Sequence, residues 1–176
     1  MARTPPAVAG AVAEEVARGR EAVTGALPGP RIVVGVDGTS GSAAAVRWAV
    51  REAMLRRGSV HLVFAVDPRR GQFAPYAPGT RTPDIDEAYA AAGELLAAAA
   101  EVAGASLPPE RLRSELADGL PARVLVDRAA TAGLLVLGIT TRGAGQPEGD
   151  LGPVVRACLH HAPCPVVAVA PSCRVS

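Results

Sequence analysis

Aromatic side chains are scarce in this chain, with two Phe, two Tyr and one Trp among 176 residues. That scarcity removes the stacking platforms on which single-stranded nucleic-acid binders lay successive bases. An excess of charge of either sign is also lacking. The net charge is +1 with 20% of residues charged, so no concentrated positive field is available for duplex nucleic acid or an anionic membrane. No apolar run is long enough to span a bilayer. Cysteine is confined to Cys158, Cys164 and Cys173, with five and eight residues between them. That spacing matches neither a CxxC redox pair nor a zinc ladder, and an odd number leaves one thiol over, so the three read as small buried hydrophobes of a reduced compartment. Arg3 followed by Ala7 to Val12 has the start of a leader, but Pro5-Pro6 lies inside it and Glu14-Glu15 interrupts it. A cytoplasmic protein is the expectation.

What the chain does hold is a rhythm of short apolar runs and longer amphipathic ones. Hydrophobic residues make up 49% of it, enough for one globular domain with a real core. Ile32 to Val36 is a continuous, β-branched run of strand length, which predicts a strand buried on both faces. From Ser42 to Arg57, Ala45, Val46, Ala49, Val50, Ala53 and Met54 recur at helical spacing, with Ser40 or Ser42 as the cap and Gly58 as the stop. A second strand follows from Val60 to Val66, ending in Asp67-Pro68. The Pro- and Gly-rich stretch from Pro68 to Pro83 has the length of a lid or a partner loop. A helix over Ile85 to Ala103 and a strand over Leu112 to Ala117 come next. The last third repeats the alternation: a helix from Pro121 to Ala132 with Pro in its first turn, a strand from Leu134 to Leu137, a helix from Pro153 to His161, and a strand from Pro165 to Ala170. Five strands alternating with four helices predict an α/β fold, a Rossmann-like, doubly wound parallel sheet with helices on both faces.

In such a sheet a ligand crevice lies beyond the carboxyl ends of the strands, where the strand order reverses. Asp37 stands at that end of the first strand and is followed at once by Gly38-Thr39-Ser40-Gly41-Ser42. If the first and fourth strands are neighbours, Asp37 faces the loop after Gly138. No GxGxxG follows the first strand, which argues against hydride transfer on a dinucleotide.

Three stretches in this order resemble the universal stress protein family: Ile32-Val33-Val34-Gly35-Val36-Asp37-Gly38-Thr39, then Leu137-Gly138, then Leu159-His160-His161-Ala162-Pro163-Cys164-Pro165-Val166-Val167. The resemblance covers about Arg31 to Pro171. It implies a cytoplasmic stress-response domain over residues 31–172, dimeric through its last strand. One branch of that family binds ATP, with the aspartate on the adenosine part, backbone of the second strand on the base, and a Gly-x2-Gly-x9-Gly-Ser/Thr loop around the phosphates. Carried over, this implies Asp37, Gly38, Thr39, Ala65, Val66, Gly138, Arg142, Gly143, Gly152 and Pro153 as nucleotide-binding positions. The loop here departs from the pattern, reading Gly138-x4-Gly143-x8-Gly152-Pro153. Pro153 lacks both the hydroxyl and the backbone N–H that a phosphate would use. Glu148 and Asp150 add negative charge that Arg142 only partly offsets.

Two readings follow. The first is a non-enzymatic regulatory module of the stress response whose nucleotide pocket is degenerate. The alternative is a sensor of ATP, AMP or cyclic AMP, at most a slow ATPase. No catalytic or metal-binding residue is assigned: Ser40 and Ser42 lie in no Gly-x-Ser-x-Gly elbow. Adjacent His160 and His161 point about 100° apart on a helix and cannot easily share an ion, while a helix C-terminus accounts for them. Residues 1–30 read as an extension, helical or disordered, which together with the 68–83 loop is a candidate contact for a protein partner.

Overall fold

The computed structural model describes residues 29–68, 85–139 and 151–171. The expectations for residues 1–28, for most of the 68–83 loop, for Arg142 and Gly143 and for Cys173 lie outside the described residues. The elements in order are β1 (Arg31–Gly35), α1 (Ser40–Arg56), β2 (Ser59–Val66), α2 (Ile85–Gly104), a 3-10 turn (Pro109–Arg111), β3 (Leu112–Asp118), α3 (Pro121–Ala129), β4 (Leu134–Gly138), α4 (Pro153–His161) and β5 (Val166–Val169).

The five strands form one sheet in the order β3-β2-β1-β4-β5. Every pairing is parallel, with Val34 set beside Leu62 on one flank and Val136 on the other. β1 is therefore central, and its neighbours on the two sides are β2 and β4. The chain moves outward from β1 to β3 and then crosses back to start again at β4, which puts the reversal of order between β1 and β4.

The alternation of a strand sorts the core into two layers. Ile32, Val34 and Val36 face one way and pack with Ala45, Val46, Ala49 and Ala53 of α1 and Leu96 and Ala103 of α2. Val33 faces the other way, with Val63, Leu135 and Leu137, against Val124, Leu125 and Ala129 of α3 and Val155 and Cys158 of α4. β1 and β4 read as unbroken apolar runs because both of their faces are covered.

The helix boundaries depart from expectation at three places, each for a local reason. α1 begins earlier than the apolar spacing implies, because Thr39, and neither Ser40 nor Ser42, is its N-cap: its Oγ1 accepts from the Ser42 N–H at 3.1 Å. At the other end Arg57, rather than Gly58, takes the left-handed conformation (φ 54°). Its N–H reaches Met54 O, while the Gly58 N–H reaches Ala53 O at 2.8 Å; this is the pair of bonds that closes a Schellman cap. Arg111 reinforces that end, donating from Nε to Gly58 O at 2.7 Å and from Nη2 to Ala53 O at 2.6 Å. Met54 falls outside the buried stripe of α1 and is half exposed. α3 ends at Ala129, short of the expected Ala132.

Candidate functional site

Beyond the carboxyl ends of the strands, on the α3 and α4 side of the sheet, lies a cavity of about 380 Å³. That volume is within the range of small-molecule sites. Its floor comes from strand ends: Gly35 of β1 with Val36 and Asp37 after it, Val63 to Ala65 of β2 with Asp67 after it, and Leu137 and Gly138 of β4. Its walls come from Pro121 and Leu125 of α3 and from Gly152 to Val155 at the start of α4, with Ser42 of α1 at the edge. The cavity therefore sits where the order of strands reverses, as open α/β sheets dictate.

Gly35 keeps the floor open. A Cβ there would stand 2.7 Å from Leu137 Cδ2 and 3.2 Å from Leu125 Cδ1, so any side chain would fill the space between β2 and β4 or push the walls apart.

Asp37 is exposed at the rim. Its Oδ1 accepts from the Thr39 N–H at 3.0 Å and from Thr39 Oγ1 at 2.6 Å. Thr39 in turn caps α1, so the carboxylate is oriented by a relay that starts in the helix. This arrangement leaves Oδ2 without a partner supplied by that turn and holds the side chain in one place.

Two helix N-termini converge on the cavity. α3 and α4 each begin with proline at the first helical position, have no side-chain cap, and carry no acidic residue in the first turn. Their first-turn N–H groups and macrodipoles favour negative charge on that wall. The Asp37 and Asp67 carboxylates on the strand side oppose it. Pro153 removes one N–H donor from the α4 end, leaving those of Val154 and Val155 as the next donors in the turn.

Of the residues expected at the site, Asp37, Ala65, Gly138, Gly152 and Pro153 line this one cavity. Gly38, Thr39 and Val66 stand outside its lining. Gly38, at φ 77°, turns the chain against Leu95; Thr39 is committed to the helix cap; and the Val66 carbonyl is taken by the Gly119 N–H at 2.9 Å. Gly138 has a structural duty as well, since a Cβ there would lie 2.1 Å from the Gly41 carbonyl carbon and 2.3 Å from Ser42 N. Its missing side chain is what lets the start of α1 rest on the end of β4.

Sequence reasoning missed Gly35, Asp67, Pro121, Leu125 and Val155 as lining residues. Asp67 was detectable from its place directly after β2, and Gly35 from being the one residue without a side chain in β1. The α3 residues gave no local signal, because only the packing of α3 across β1 and β2 brings them there.

Ser42 Oγ donates to Thr39 O at 3.1 Å. His160 and His161 are exposed at the end of α4. Cys158 is fully buried, with its thiol pushed up to about 11 by loss of solvent, and burial also raises that of Cys164. Among the described residues no group of three His, Cys, Asp or Glu could hold a metal ion, and no helix is long and apolar enough to cross a membrane.

Comparison with known proteins bears on the family and the fold. The universal stress protein family model matches residues 30–170. A universal stress protein of Mycobacterium tuberculosis (strain H37Rv) is 34% identical over 141 residues, covering 78% of this chain and 46% of its own length. The chain thus spans about half the length of the curated relatives it matches. Among solved structures, the universal stress protein UspA from Lactobacillus plantarum superposes with a TM-score of 0.60 at 24% identity, over 81% of this chain and 99% of that one. A universal stress protein in complex with cAMP superposes at 0.61 and 23%, over 83% and 100%. These two likenesses bear on the fold, and the match over residues 30–170 bears on descent: the chain belongs to the universal stress protein family.

Proposed function

We propose that this chain is a non-catalytic regulatory module of the cytoplasmic stress response whose crevice receives the nucleoside end of an adenine nucleotide without gripping a triphosphate. The observation that carries this reading is the cavity itself: an open floor at Gly35, a carboxylate at Asp37 held by Thr39, and apolar walls from Leu125, Leu137 and Val155. Such a site suits a flat base between apolar walls and a sugar hydroxyl donating to a fixed carboxylate. The structural neighbour determined with cAMP supports a nucleotide as the class of ligand.

The phosphate side is weaker. Pro153 stands where the family's loop has a hydroxyl residue, and a hydrogen bond to a charged group contributes about 1.5–3 kcal/mol. Its loss corresponds to roughly tenfold to a hundredfold in affinity. AMP and cyclic AMP should therefore bind at least as tightly as ATP. Calorimetry against ATP, ADP, AMP and cyclic AMP tests this, with Asp37→Ala as the control. A dissociation constant for AMP or cyclic AMP below about 100 μM that is lost in the variant supports the reading. ATP binding at least tenfold tighter than AMP would overturn it.

Pro153 also favours a second reading, in which the crevice is vestigial and the module works through its surfaces. β5 lies at the sheet edge with only β4 beside it, and an apolar edge strand invites a partner. Pairing of β5 with a second copy is the expected assembly. A monodisperse monomer at high micromolar concentration in light scattering would refute the dimer, and absence of binding by all four nucleotides would select this second reading.

A further inference from the structure

One buried titratable side chain has no part in the crevice. His61, in the middle of β2, is 2% exposed and interrupts the apolar run Val60, Leu62, Val63. It lies one row beneath Val63 of the cavity floor, on the face covered by α3. Its Nε2 is 2.9 Å from Glu115 Oε2, and its Nδ1 has no hydrogen-bond partner. Glu115 is already engaged by α3: its Oε1 accepts from Arg128 Nε at 2.9 Å and from Nη2 at 2.5 Å.

The charged groups that face this spot come from three elements. β1 supplies Arg31, whose Nη2 donates to the Arg128 carbonyl at 3.3 Å and to Thr131 Oγ1. β3 supplies Glu115 and Arg113, the latter 3.8 Å from Glu115 Oε2. α3 supplies Arg128, with Asp127 acting on it from the same helix. Glu115 thus serves the guanidinium groups of Arg128 and Arg113, while Arg31 adds a third positive charge beside them. α3 presents successive turns to two places, Leu125 to the cavity and Arg128 to Glu115.

We propose that His61 is an acid-sensitive latch on α3: the neutral ring leaves Glu115 to pin Arg128 to the sheet, and the protonated ring adds a fourth positive charge that loosens the helix. This stands on the cluster and does not depend on what the cavity binds. Burial holds the His61 pKa below its usual value, with Glu115 offsetting only part of that. A histidine whose folded pKa is depressed contributes stability above the unfolded value of about 6.5 and loses it as pH falls below that value. Glu115 is also held low, chiefly by its bond to Arg128. Its stabilisation fades only as pH falls through the ordinary range of a glutamate, about 4.3, so the two windows are separate.

The test is amide hydrogen exchange of the full chain at pH 7.5 and 5.5, corrected for intrinsic rates, with an NMR titration of the His61 ring. In the wild type the opening constant of the α3 amides should rise more than twofold, to a limit of about tenfold, between these pH values. In His61→Leu the rise should stay under twofold. A His61 pKa at or above 6.5 in the folded protein, a wild-type rise below twofold, or an undiminished rise in His61→Leu would each overturn the latch. Should the variant fail to fold, the wild-type titration and exchange decide alone.

Discussion

Gly138 and Gly152 match the first and last glycines of the loop pattern that the family resemblance implies, but the structure separates them sharply. A Cβ on Gly138 would come within 2.1 Å of the Gly41 carbonyl carbon, 2.3 Å of Ser42 N and 2.4 Å of the Gly41 oxygen. All three atoms belong to the backbone of α1, so no side-chain rotation relieves the clash. β4 or the first turn of α1 would have to move by more than 1 Å, in a region where Ala44, Ala45, Leu135 and Val136 are at most 1% exposed. Overpacking a core costs about 1–3 kcal/mol where side chains can adjust. Backbone displacement puts Gly138→Ala at or above the top of that range, roughly 3 kcal/mol or more. For a domain of this size that corresponds to a fall in Tm of about 6–12 °C. A Cβ on Gly152, by contrast, meets nothing within 4 Å, and Gly152→Ala should stay within about 0.5 kcal/mol of the wild type. Urea unfolding followed by circular dichroism measures both, and equal m-values would confirm that both variants unfold from the same compact state. If Gly138→Ala proved as stable as Gly152→Ala, the contact between β4 and α1 would not be the reason for glycine there.

Three further outcomes follow from single side chains. Arg111→Met removes the donors to Ala53 O and Gly58 O and should cost about 1.5–3 kcal/mol in urea unfolding; a loss under about 0.5 kcal/mol would mean that solvent replaces both bonds. Thr39→Ala removes the cap of α1 and the anchor of Asp37, so stability should fall by about 1 kcal/mol and nucleotide affinity should fall with it, whereas Thr39→Ser should keep both. Cys158, buried and with its thiol pushed up to about 11, should resist a maleimide at pH 7.5 until the protein unfolds; labelling of native protein at Cys158 within minutes would contradict its burial.

Periodicity alone disclosed most of the fold. Unbroken apolar runs at β1 and β4 can be satisfied only by strands covered on both faces, and helices between them force parallel crossovers. The place of Asp37 at the end of β1 followed from the same pattern, because a parallel sheet offers its crevice at that end. Local chemistry was less legible. That Thr39 rather than a serine caps α1 depends on where the Asp37 turn delivers the chain, and the helix end that Arg57 turns in the left-handed conformation is braced by Arg111, more than fifty residues away, on the Ala53 and Gly58 carbonyls. The α3 wall of the cavity could not be read. Pro121 and Leu125 resemble any helix start until the sheet order sets α3 across β1 and β2. The cluster around His61 is the same kind of fact: a histidine in an apolar strand signals an exception, but its meaning rests on Arg31, Arg113, Glu115 and Arg128 arriving from three other elements. Sequence determined which segments are buried and where a crevice opens, because burial and chain reversal are local properties of pattern. Tertiary structure decided what lines the crevice and what surrounds the buried charges, because those contacts join residues that share no local pattern.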